Sequence, residues 1–224
     1  MIGEYTVRVE LIEPSDQDFV LYGNNRVRET WTDSAGERHR ETLPAVVIRD
    51  SNTGELMGEQ WWRHGKLHRE GGPALKYLTQ TGIEEEWYLD GELHRIDGPA
   101  RSVVLQDDPT QIVSEEWRQE GKLHHVGAPA SLIICERTGH VLHETWAVNG
   151  KIHRTDGPAA VDRDEDTNIA YLEKWLVDGK LHRIGGPALI ERDQKTGAIR
   201  LEEYFDNGKE FLPGGPSFPD GGPS

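Results

Sequence analysis

One phrase recurs along this chain, and a repeat limits the fold more than any other feature a sequence can carry, because a short unit must stack on its copies to bury a core. EQWWRHGKLHREGGPA from Glu59, EEWYLDGELHRIDGPA from Glu85, EEWRQEGKLHHVGAPA from Glu115, ETWAVNGKIHRTDGPA from Glu144 and EKWLVDGKLHRIGGPA from Glu173 are five copies of it. ETWTDSAGERHRETLPA from Glu29 is a sixth with one extra residue in its turn, and EEYFDNGKEFLPGGPS from Glu202 is a degenerate seventh. The anchor aromatics Trp31, Trp61, Trp87, Trp117, Trp146, Trp175 and Tyr204 are spaced by 30, 26, 30, 29, 29 and 29 residues. An eroded last copy is what a cap looks like.

Each copy reads as a β-hairpin. Asp90-Gly91, Asn149-Gly150, Asp178-Gly179 and Asn207-Gly208 are two-residue loop signals, since type I′ turns need positive φ at both positions. With Asp90-Gly91 as the loop, Leu89 faces Glu92, Tyr88 faces Leu93 and Trp87 faces His94, with Glu85 diagonal to the indole. A second turn follows at Asp97-Gly98-Pro99, where proline suits a strand entrance, and an extended run such as Ala100 to Leu105 comes next. About three short strands per copy are expected. The expected fold is therefore all-β: a tandem repeat of about seven antiparallel hairpin units, period about 29, forming an elongated, twisted β-meander. Residues 1–28 fall outside the phrase and read as capping strands, TVRVELIE as an edge strand and Phe19 to Tyr22 as a second. Residues 29–217 are the array, and 218–224 an irregular tail.

Charge narrows the partners. With 40 acidic against 25 basic residues the chain carries a formal −15, which opposes direct binding to nucleic-acid phosphates or anionic membranes and leaves a basic protein as the easier partner. Cys135 is the only cysteine, so no internal disulfide forms, and the N-terminus lacks the basic start and apolar run of a secretory signal. No stretch approaches the roughly 20 apolar residues that span a bilayer. These features point to a cytoplasmic protein.

The phrase W-x-x-(D/N)-G-K-L-H-R-x-(D/G)-G-P-A resembles the MORN-like hairpin repeats, in the variant written NGKLHR-DGPA or HR-LPAVI in bacterial, phage and giant-virus proteins. The resemblance runs from about Glu29 to Ser217, and Leu43-Pro44-Ala45-Val46-Val47 is similar to the second spelling. It implies an all-β repeat that acts as a scaffold for proteins, and it brings no set of catalytic residues. The unit here is longer than an ordinary MORN repeat and adds the His-Arg-x-x-Gly-Pro-Ala segment.

The repeated Glu-Trp-His set (Glu59, Trp61, His68; Glu85, Trp87, His94; Glu115, Trp117, His124; Glu144, Trp146, His153; Glu173, Trp175, His182) has the residue types of an acid/base pair or a metal site. An active site is normally built once, so a set present in every unit reads instead as structure, with His donating to Glu under the Trp. No metal and no cofactor are expected. Arg69, Arg95, Arg154 and Arg183, with Arg40, could grip anions, or else pair with nearby acids such as Glu86 beside Arg95. His124-His125 and His140/His143 read as surface residues, Cys135 as a packed thiol, and Asp162 to Asp166 as a solvated turn rather than a calcium loop. The expectation is a non-enzymatic interaction protein presenting an extended acidic β surface, with partner contacts at positions that vary between copies: Trp62, Tyr88, Arg118 and Phe205. Two alternatives stand beside it. One is a phage-type inhibitor or decoy of a nucleic-acid-binding or defence protein. The other is a nucleotide or glycan binder using the Trp and Arg positions. A terminal edge strand could also pair with a second chain.

Overall fold

A computed structural model describes residues 5–12, 25–79 and 82–212 of the chain. The strand expected at Phe19 to Tyr22 and the irregular tail lie outside these residues. Among the described residues there is no helix, and every paired strand is antiparallel to its neighbour. The chain divides into two compact units, Met1–His124 and His125–Ser224, with the boundary inside the fourth copy of the phrase.

In the first unit the sheet runs in chain order: Thr6–Ile12, Arg26–Thr32, Val46–Asp50, Leu56–Gln60, Leu75–Leu78, Ile83–Glu86, Arg101–Val104 and Ile112–Glu116. The second unit repeats the plan with Ser131–Ile134, Val141–Thr145, Ala160–Arg163, Ala170–Lys174, Leu189–Arg192, Ile199–Asp206 and Lys209–Phe211. This is the expected meander, and Thr6–Ile12 is the expected edge strand, exposing Val7, Val9 and Leu11.

The number of strands per copy differs from expectation. A central copy contributes four, not three: two to the sheet, and two that leave it as a separate two-stranded hairpin. These hairpins are Trp62–Arg63 with Lys66–Leu67, Tyr88–Leu89 with Glu92–Leu93, Arg118–Gln119 with Lys122–Leu123, Ala147–Val148 with Lys151–Ile152, and Leu176–Val177 with Lys180–Leu181. The register Leu89↔Glu92 and Tyr88↔Leu93 is as expected, and Leu176↔Leu181 matches it. All the two-residue loops have positive φ at both positions, including His64-Gly65 and Glu120-Gly121, where no Asp or Asn announces the turn. A bulge falls at the same place in five copies, between Ile48 and Arg49, Val103 and Val104, Ile133 and Ile134, Asp162 and Arg163, and Glu191 and Arg192, while the second copy pairs Leu75–Leu78 with Ile83–Glu86 in regular register.

Packing explains the closing Pro-Ala. Ala45, Ala74, Ala100, Ala130, Ala159 and Ala188 are all fully buried, where a larger side chain would have no room. A buried apolar cluster sits early in the first unit, where Val46, Ile48 and Tyr77 are buried and Met57, Trp62 and Leu75 pack against them.

Candidate functional site

The tryptophan is the pivot at which each strand leaves the sheet. Its amide still bonds the sheet, donating to the buried alanine: Trp61 to Ala74, Trp87 to Ala100, Trp146 to Ala159 and Trp175 to Ala188, each at 2.7 Å. Its carbonyl already belongs to the hairpin, accepting the amide of His68, His94, His153 or His182 at 2.9–3.0 Å, as Trp117 accepts from His124. The invariant glutamates stand beside it. The Trp61 and Trp117 indole N–H groups donate to Glu59 and Glu115 at 3.3 Å. Glu85 pairs with Lys76, Glu144 with Arg163 and Glu173 with Arg192.

The arginines sit over these indoles. The guanidinium carbon is 3.9 Å from the ring centroid for Arg69 on Trp61, 4.0 Å for Arg95 on Trp87, 3.8 Å for Arg154 on Trp146 and for Arg183 on Trp175, and 4.2 Å for Arg40 on Trp31. Such a contact contributes about 0.5–2 kcal/mol depending on its desolvation. Each Arg also donates to the carbonyl of the proline four residues on: Pro44, Pro73, Pro99, Pro158 and Pro187. The glycine before that proline lies against the guanidinium. A Cβ on Gly72, Gly98, Gly157 or Gly186 would lie 2.5–3.1 Å from that arginine's Cζ. Arg95 therefore does not pair with Glu86; its acid is Asp97, as Asp156 is that of Arg154. In the fourth copy His125 replaces the Arg and contacts the Pro129 carbonyl at 2.9 Å, and Ala128 replaces the Gly.

The histidines do not pair with their own glutamates, as the sequence had implied. Nδ1 of His39, His68, His94, His153 and His182 accepts the amide of the first loop residue in the following hairpin, from His64, Asp90, Glu120, Asp178 and Asn207, at 3.1–3.3 Å. Two backbone bonds flank each link. Arg69 N–H, for example, donates to Tyr88 O, and Gly91 N–H to Leu67 O. In these five pairs consecutive hairpins are thus tied by one imidazole and two backbone hydrogen bonds.

The positions named for partner contact all follow the pivot tryptophan or tyrosine. All are half-buried. Trp62 packs on the apolar cluster, donates to Gln60 at 2.6 Å, lies under Arg38, and borders an open pocket with Lys66, Leu67, Asp90 and Glu92. Arg118 is held by Glu116 and the Gly121 carbonyl. Phe205 accepts the Arg183 amide through its backbone. Tyr88 hydrogen-bonds Glu86, and burial, with that carboxylate beside it, pushes its phenol up to about 12. On the same sheet face Leu75, Glu86, Arg101 and Glu116 stand in register, and Glu84 lies one pleat away. Arg101 reaches Glu84 at 2.6 Å and Glu86 at 3.2 Å. Burial, with Glu84 nearby, raises the Glu86 carboxyl above its ordinary range despite the Tyr88 bond.

The remaining clusters are structural. In the second unit His143 contacts Asp162 at 2.6 Å and Thr145 at 2.8 Å, a hydroxyl-imidazole-carboxylate chain that sequence spacing did not reveal. Thr145 is buried, so its hydroxyl is not presented to solvent, and the His143–Asp162 contact is the one that crosses between strands. Cys135 is buried and donates to Glu165, which Arg137 also holds, and His140 contacts the Glu165 carbonyl. Both His140 and His143 are partly exposed, as expected, and hydrogen-bonded. Asp164 accepts the amides of Asp166 and Thr167 and the Thr167 hydroxyl, so that loop is a capped turn. Asp50 and Asp193 cap the same turn elsewhere. No helix among the described residues is long and apolar enough to cross a membrane. Comparison with protein-family models, with curated proteins and with solved structures finds no match.

Proposed function

We propose that this chain is a non-enzymatic repeat protein, MORN-like in its unit, that binds a basic protein partner on the variable face of its sheet. The observation that supports this is the division of labour within each copy. The repeated Trp, Arg, His, Gly and Ala residues bond one another and the adjacent copies, which leaves the residues that differ from copy to copy as the recognition surface. The stretch 83–120 as a whole holds eleven acids and three bases, and Glu84, Glu86 and Glu116 crowd around Arg101 on one face. Carboxylates held together against their own repulsion form a surface that a partner's Lys or Arg would relieve. The ligand-stacking alternative loses support, because a guanidinium already occupies the indole face that a base or sugar would need.

The test is affinity capture on the immobilised chain, with Glu84→Gln/Glu116→Gln as the comparison and circular dichroism to confirm the fold. A partner is expected that elutes with modest salt and is lost by the double variant. Capture indifferent to both salt and the variant would rule the reading out. If duplex DNA competes with the chain for the captured protein, the partner is a nucleic-acid-binding protein and the chain acts as its decoy.

A further inference from the structure

Two departures from the repeat meet at one point in the first unit. The first copy carries an extra residue in its turn, which places Asp33 and Glu37 on either side of Gly36. The second copy has His64 at the loop position where other copies have Asp, Glu or Asn. Asp33, Glu37 and His64 each bring one donor atom to a place where all three lie within 4.8 Å of one another. We infer that they form a binding site for a divalent transition cation, with Asp33, Glu37 and the His64 Nδ1 as its three protein ligands.

The surroundings fix each donor. Asp33 Oδ1 accepts the Glu37 and Ala35 amides at 3.0 Å, which leaves Oδ2 turned to His64 Nδ1 at 3.4 Å. Glu37 lies across Gly65: its carboxyl carbon is 3.4 Å from where a Cβ would stand, so the glycine makes the turn and also leaves room for the carboxylate. Behind the His64 ring is His39, stacked at 4.2 Å and 15°, itself buried and bonded to the His64 amide. One imidazole and two carboxylates, open to water on the remaining side, suit Zn²⁺ or Mn²⁺ better than Mg²⁺, which prefers oxygen alone. A bound ion would tie the first turn to the second hairpin, beside the existing His39 link.

The test is calorimetric titration of the full chain at neutral pH with Zn²⁺, Mn²⁺ and Mg²⁺, using His64→Asn and Asp33→Asn. Asparagine is what the repeat itself places at the first loop position in two other copies, Asn149 and Asn207. The Asp33→Asn side chain keeps an oxygen to cap the turn, so both variants should fold. One Zn²⁺ or Mn²⁺ per chain is expected, weakened by at least about tenfold in each variant, with the His64 ring protons shifting in NMR as metal is added. Absence of one-to-one binding in the parent chain, or binding unchanged in His64→Asn, would overturn the site.

Discussion

Replacing Gly98 with alanine tests whether the arginine-tryptophan stack holds a copy together. The new Cβ would lie 2.5 Å from Arg95 Cζ and 2.7 Å from Nε, well inside contact distance. Gly98 is not in the left-handed region, so the backbone tolerates alanine and the free end of the arginine must move instead. It then loses its place 4.0 Å over Trp87, about 0.5–2 kcal/mol. Its bond to the Pro99 carbonyl goes too, about 0.5–1.5 kcal/mol. The pair with the exposed Asp97 adds little. The expected cost is about 1–3 kcal/mol. Arg95→His removes the same stack and should cost about as much. The double variant reproduces His125 with Ala128, the combination in the fourth copy, where the alanine meets no guanidinium and the imidazole reaches the proline carbonyl. It should therefore cost no more than either single change. Urea unfolding followed by circular dichroism gives the three values. Costs that add to within about 0.5 kcal/mol would show that glycine and arginine are not coupled and refute the argument. The first copy sets the limit of the rule. Arg40 keeps its stack beside Leu43, whose side chain is turned outward and exposed.

His68→Ala removes a buried acceptor and leaves the Asp90 amide without it, at a cost of about 1–3 kcal/mol. Hydrogen exchange at the Asp90 amide should accelerate, and unchanged protection would show that the link between hairpins carries nothing. Glu86→Gln should stabilise the chain at neutral pH. Burial raises the folded carboxyl above the unfolded 4.5, so ionised Glu86 costs stability above its folded value and nothing once pH has fallen below 4.5. The gain in urea midpoint should be present at pH 7 and shrink on acidification; a gain constant with pH would contradict it. Asp193 has the opposite sign. The Thr196 and Lys195 backbone and the Thr196 hydroxyl lower it to about 2 from 3.8, so its contribution is complete above 3.8 and is lost as pH falls towards 2. Asp193→Asn should flatten that part of the acid-unfolding curve, and an identical acid limb in both proteins would count against the cap.

Much of the fold could be read from the phrase alone, because two-residue hairpin loops have a strict backbone requirement and Asp-Gly and Asn-Gly meet it. The register followed from the loop by counting, and the structure repeats it at Tyr88↔Leu93 and Leu176↔Leu181. The partners of the repeated side chains could not be found by counting. Within one hairpin, His94 has Trp87 opposite and Glu85 diagonal, so a bond inside the copy is the natural reading. The bond actually made goes to Glu120, 26 residues on, in the next copy. Sequence spacing within a unit holds no trace of contacts between units. The stack of Arg95 on Trp87 was closer to hand, since both residues and Gly98 vary little between copies, and the paired change to His125 and Ala128 was the clue.

The same logic separates structure from function in this chain. When a residue changes and its contact changes with it, as in the fourth copy, the interaction is structural and the swap preserves it. Departures with no compensating partner in their own copy are different. His64 occupies a loop position with positive φ that Asn or Asp fills at less strain, and the extra turn residue in the first copy lengthens a hairpin that the others keep short. Neither is required by the stack, yet they bring Asp33, Glu37 and His64 together. Glu84 and Glu86 stand where Gly58 and Gln60 stand one copy earlier, and burial raises the Glu86 carboxyl even though Arg101 and Tyr88 bond it. In a protein whose repeated residues are occupied with one another, such departures are the places to which the proposed binding sites are assigned.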